Sequence, residues 1–114
     1  MTAMRLPVAA AAALLSVAAL APAPASAACF EFVGCTNDHV MSYSALRQLS
    51  CGALWTVRNT IFYENGYCFQ TDRGQAVFDN TGCTYYNSGQ VPMSRIERTN
   101  VSRVLQVERQ KGCR

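Results

Sequence analysis

The 114-residue sequence contains a single histidine, His39, and no Cys-x-x-Cys pair, so it lacks the ligand sets from which zinc sites are usually built. One histidine also leaves little for acid–base chemistry. Asp38, His39 and Ser42 lie close together in the sequence, but a catalytic triad is a tertiary arrangement that adjacency does not create. A surface histidine in an irregular arm is the expected reading. Long apolar runs are missing beyond residues 8–20, which are apolar apart from Ser16. Nothing after them approaches the roughly 20 residues of a membrane-spanning helix. The formal net charge is only +3, Arg5 supplying one of those charges. That is a weak bias, far from the concentrated basic character of a nucleic-acid domain, and no nucleic-acid partner is expected. No internal repeat is present, and the only low-complexity stretch is the alanine-rich beginning that ends in Ala21-Pro22-Ala23-Pro24. No cofactor and no metal are called for.

What is there begins with a leader. Arg5, the apolar run and the small residues Ala25-Ser26-Ala27 form the three parts of a cleaved signal peptide over residues 1–27. The mature chain is expected to start at Ala28 and to be soluble, periplasmic or secreted, with no transmembrane segment. A lipidated Cys29 would need a leucine-type residue three positions earlier, where Ser26 stands, and would leave five thiols in an oxidising space.

The six cysteines follow Ala28 and, in such a compartment, read as three disulfides that supplement a core of modest size. Helix geometry removes one of the many connectivities. A helix over residues 52–65 would hold Cys51 and Cys68 about 20 Å apart, beyond the reach of a disulfide. We expect Cys68 with Cys83, Cys51 with Cys113, and Cys29 with Cys35, the last closing a loop that needs only a turn.

Residues 29–41 lack periodicity and read as a pinned arm, and residues 28–48 form this arm plus a short helix over 43–49 capped by Ser42. Ser50 caps a second helix with Leu54, Val57 and Ile61 on one face and Trp55 and Phe62 beside it; Asn65-Gly66 ends it. Thr71 and Asp72 open a third helix through Phe78, weakened by Gly74. Residues 83–92 read as a turn-rich surface loop. Ser94 and Glu97 form a capping box for a fourth helix that Gly112 stops. On its wheel Ile96, Val104 and Val107 face one way, with Val101 at the edge. Arg95, Arg98, Ser102, Gln106 and Arg109 lie opposite. The expected fold is mainly α, a small disulfide-stapled bundle of about four short helices with a long turn-rich loop and no convincing strand pair.

Leu54-Trp55, Arg58-Asn59, Ile61, Gly66-Tyr67, Phe69, Phe78, Gly82-Cys83, Glu108-Arg109 and Gly112-Cys113 together resemble the YARHG family of small extracytoplasmic bacterial domains. The resemblance covers most of residues 49–114. It implies a four-helix module that binds cell-wall material. In the segment that gives the family its name, Gly66 is kept, while Phe62-Tyr63-Glu64-Asn65 stands where Tyr-Ala-Arg-His is usual.

Trp55, Arg58, Asn59, Gly66 and Glu108 are expected to hold the fold, Arg58 pairing with Glu108 near the apolar side of the last helix. Tyr63, Glu64, Tyr67 and Tyr85 around the Gly66 turn, together with Arg95, Arg98 and Arg109, are the candidate ligand contacts. Aromatic faces suit sugar rings, and arginines suit carboxylates or phosphates. The leading expectation is a non-catalytic envelope module that binds peptidoglycan or a similar polymer. The alternative is a secreted protein-interaction module, an inhibitor or effector. A small wall-acting hydrolase using Glu64 and Asp72 is the weakest reading, because a stapled unit of this size has little room for a cleft.

Overall fold

The computed structural model describes residues 3–4 and 28–114, so the expected leader falls almost wholly outside the described residues. From Ala28 onward the order is β1 (Cys29–Phe30), β2 (Gly34–Cys35), α1 (Tyr43–Arg47), α2 (Cys51–Glu64), α3 (Asp72–Val77), a 3-10 turn (Ser88–Gln90) and α4 (Arg95–Lys111). Each helix begins where a hydroxyl side chain satisfies an otherwise orphaned backbone N–H. Ser42 accepts from Ala45, Ser50 from Ala53, Thr71 from Gly74 and Ser94 from Glu97, whose carboxylate returns the bond to the Ser94 N–H. α2 ends at Glu64 with Asn65 as its cap, and Gly66 follows at φ +89°, a conformation open to glycine without a Cβ penalty.

α2 and α4 form the main packed pair, and three cross-links fix them antiparallel. Cys51 at the start of α2 is bonded to Cys113 just beyond α4. Midway, the Arg58 guanidinium donates to both Glu108 oxygens at 2.6 and 3.2 Å. At the far end the Asn65 amide donates to Glu97 Oε2 at 2.7 Å. Leu54 and Val57 of α2, Val104 and Val107 of α4, Leu46 of α1, and Val33 and Met41 of the arm make the core between them. Asn59 is buried and donates from its amide to the Trp55 carbonyl at 2.9 Å. The other two disulfides join Cys29 to Cys35 and Cys68 to Cys83.

The arm is more ordered than its composition suggested. Cys29 and Phe30 pair antiparallel with Cys35 and Gly34, a minimal hairpin closed by the disulfide, where no strand pair was expected. α1 stops at Arg47, two residues short of expectation. Residues 83–92 contain the 3-10 turn, and a parallel bridge joins Tyr85 to Tyr67. Gly74, expected only to weaken α3, has a packing reason. A Cβ there would lie 2.7 Å from the Phe69 ring, so glycine is what lets α3 seat on that phenylalanine.

The wheel of α4 also needs correcting. Val101 is half-buried at the edge, as expected, but Ile96 is also only half-buried, whereas Glu97 and Asn100 are buried with Val104 and Val107. The arm and the end of α2 supply these polar side chains with partners, and a polar group so satisfied can occupy the interior.

Candidate functional site

α2 delivers Tyr63 and Glu64 in its last turn, and the Gly66 turn swings Tyr67 back beside them. These four residues line an open cleft of about 300 Å³ together with Asp79, Thr81, Gly82 and Cys83. The Cys68–Cys83 disulfide holds the two walls together. Three backbone bonds reinforce the closure. Thr84 and Tyr85 N–H donate to the Gly66 carbonyl at 2.8 and 2.9 Å, and Cys68 N–H donates to the Tyr85 carbonyl at 2.7 Å.

The aromatic side chains behind the cleft form a continuous ladder. Phe69 and Phe78 stack with centroids 4.7 Å apart. Tyr67 meets Phe69 edge-on at 4.9 Å, and Tyr63 and Trp55 lean on Phe78 at 5.3 and 5.9 Å. Arg73 covers the outer face of Trp55 at 4.0 Å. Tyr63 therefore has one side braced by Phe78 yet remains 43% exposed. A braced, exposed ring at a cleft rim is preorganised for stacking.

Glu64 has a different part from the ligand contact expected of it. Its Oε2 accepts from Thr36 Oγ1 at 2.8 Å and its Oε1 accepts from the Ala28 N–H, so it ties the arm to α2. Tyr85 lies against Gly66, where a Cβ would be 3.4 Å from its ring, and is not one of the residues lining the cleft. Sequence reasoning missed Asp79 and Thr81, because Asn80-Thr81-Gly82 signalled only the end of the third helix and Asp79 carried no signal of its own.

Asp79 accepts from Thr81 Oγ1 at 2.7 Å and from Thr81 N–H at 2.8 Å. The hydroxyl bond first, and the backbone bond second, hold its carboxyl below the ordinary 3.8. A carboxyl lowered on folding stabilises the fold above its unfolded value. That contribution fades as pH falls through the lower folded value. Asp79→Asn is accordingly expected to lower the melting temperature at pH 7, with the gap to wild type narrowing once the pH falls below the ordinary 3.8; a series of melts from neutral to acidic pH checks this.

The arginines are divided between places. Arg95 and Arg98 line a separate hollow of about 450 Å³ with Tyr43, Thr99, Ser102 and Arg103, while Arg109 lies outside it in the last turn of α4. The Tyr43 ring has Arg103 over it at 4.3 Å and Arg47 at 5.5 Å, and its hydroxyl donates to Gln106 at 2.8 Å. Among the described residues the ion pairs are Arg58–Glu108 and His39–Asp38, so no carboxylate neutralises Arg95 or Arg98. Arg103 was missed because it reads as one more solvated position; its stacking on Tyr43 depends on α1 docking against α4.

His39 is anchored at both nitrogens, Nδ1 against Asp38 at 2.7 Å and Nε2 against the Val33 carbonyl at 3.2 Å. The Ser42 hydroxyl instead caps α1. Asp72 stands at the start of α3 and is not part of the cleft. A third hollow, about 390 Å³, is walled by Phe30, Phe32, Leu49, Ala53 and Val57 with Glu31 and Thr56 at its edge. Beside it Phe32 is 75% exposed at φ +72°, a strained conformation for a side chain of that size.

The pattern that defines the YARHG domain matches residues 31–109. The match begins upstream of Leu49 and so takes in β2 and α1 as well as the later helices. No curated protein and no solved structure matches the chain.

Proposed function

Because the chain belongs to the YARHG domain family, an extracytoplasmic module, we propose that it is a non-catalytic envelope-binding protein that recognises peptidoglycan through the Tyr63–Tyr67 cleft. The observation that carries this reading is the Tyr63 ring, braced from behind by Phe78 and open at the rim. A sugar ring stacks on such a face, and Asp79, Thr81 and the neighbouring backbone supply polar contacts at the edge. Arg95, Arg98 and Arg103, none of them paired to a carboxylate, suit the carboxylates of a stem peptide. The carboxylates favour binding over hydrolysis. Glu64 is occupied by Ala28 and Thr36, and Asp79 is held ionised at neutral pH, whereas a general acid must arrive protonated.

The oxidised protein is expected to pellet saturably with protein-free peptidoglycan at physiological salt. Tyr63→Ala should weaken that binding about fivefold, the loss of one aromatic stacking contact. Pelleting unchanged by the substitution would place recognition elsewhere.

A second reading has its own observation. Strained, exposed Phe32 beside an apolar hollow is what a protein-docking surface presents. On that reading a protein partner released from intact envelopes is captured by wild type but not by Phe32→Ser, and stripping protein from the wall abolishes pelleting.

A further inference from the structure

Glu64 is the last residue of α2, where the helix dipole presents its negative end and a carboxylate is disfavoured. No arginine, lysine or histidine forms an ion pair with it among the described residues. Its partners are the Thr36 hydroxyl and the main-chain nitrogen of Ala28. Thr36 is fully buried, and its own N–H donates to the Ala28 carbonyl at 3.1 Å. Ala28 is thus held on both sides, by Glu64 at its nitrogen and by Thr36 at its oxygen, with the Cys29–Cys35 disulfide beginning one residue later.

That nitrogen is also the one that the sequence marks for release. Ala25-Ser26-Ala27 puts the scissile bond between Ala27 and Ala28. Hydrolysis adds one water across this amide, leaving a carboxylate on Ala27 and an amine on Ala28 that takes up a proton at neutral pH. We propose that Glu64 is the receptor for the amino terminus that leader removal creates at Ala28, so that processing locks the arm onto α2. The neutral N–H donor becomes an ammonium, and a charge-assisted bond to the carboxylate is about twice as strong as the neutral one. Register is strict. Scission one residue to either side would move the ammonium about 3.8 Å along the chain, away from the carboxylate that faces this position. The inference stands independently of what the cleft binds.

The test starts from the full chain, exported by a bacterium so that its own peptidase does the cutting. The intact mass of the purified protein gives the first residue. Acetylation by N-hydroxysuccinimidyl acetate at pH 7 then reports the availability of the α-amine, with an added unstructured peptide bearing a free α-amine as the standard, because Lys111, the only lysine, is itself held by the Arg47 and Leu49 carbonyls. Normalised to that peptide, the Ala28 amine should react roughly tenfold more slowly in wild type than in Glu64→Gln, the protection expected of one charge-assisted bond. Comparing folded wild type with the same protein in guanidinium, disulfides intact, gives a second measure that does not depend on the variant folding; it should show the same protection lost on unfolding. A first residue other than Ala28, or equal normalised rates in both comparisons, overturns the proposal.

Discussion

Replacing Cys51 and Cys113 together by alanine lowers the stability of the oxidised protein by about 4 kcal/mol, the entropy that closing a loop of this length removes from the unfolded chain. The two cysteines are 62 residues apart, the largest separation of the three pairs. The same relation gives about 3 kcal/mol for Cys68–Cys83, 15 apart, and about 2 kcal/mol for Cys29–Cys35, 6 apart. Domains of this kind have a total stability of roughly 5–15 kcal/mol. The Cys51/Cys113 variant should therefore lie near the folding threshold, with a melting temperature lower by on the order of 20 °C. Thermal and guanidinium unfolding of the three double variants check the order. A Cys29/Cys35 variant less stable than the Cys51/Cys113 variant would show that native contacts around the staple, rather than loop entropy, decide its value.

Asn100→Leu is expected to cost about 3 kcal/mol, although the two side chains are close in size. Asn100 is 0% exposed. Its carbonyl accepts from the Met41 N–H at 2.8 Å, and its amide donates to the Thr36 and His39 carbonyls, both at 3.1 Å. Leucine fills the space and leaves one buried N–H and two carbonyls short of a partner, and such orphans carry the full desolvation penalty. The loss concentrates at one place, the attachment of the arm to α4. Guanidinium unfolding measures the total. Hydrogen exchange at the Met41 amide should accelerate far more than exchange in α2. A loss below about 1 kcal/mol would mean that the arm relaxes and rehydrates its backbone without disturbing the helices.

The contrast between these two features shows what a sequence of this kind discloses. The helix starts were legible because Ser42, Ser50, Thr71 and Ser94 each act on a backbone group three residues away. The Arg58–Glu108 pair was legible because Glu108 falls on the apolar side of α4, where an unpaired carboxylate has no place. Asn100 and Glu97 were not legible. Their burial depends on partners supplied by the arm and by Asn65, and no periodicity records a partner on another element. The candidate site divided in the same way. Tyr63 and Tyr67 share a cleft because local helix and turn geometry puts them there. Arg103 joins Arg95 and Arg98 only once α1 has docked Tyr43 against α4, and Glu64 turned inward because the arm reached it from 28 and 36 residues away.

The bond between Cys51 and Cys113 also makes a covalent ring of everything from the start of α2 to the end of α4. Exposed turns such as Thr81-Gly82 and residues 86–90 are the places where a protease cuts a folded chain. A single cut there opens the ring without releasing a fragment, and the cleft between α2 and the Cys68–Cys83 turn keeps both its walls. Outside the cytoplasm, where peptidases are plentiful and reductants scarce, a nicked molecule therefore persists as one particle. Its injury becomes visible only when a thiol separates the pieces.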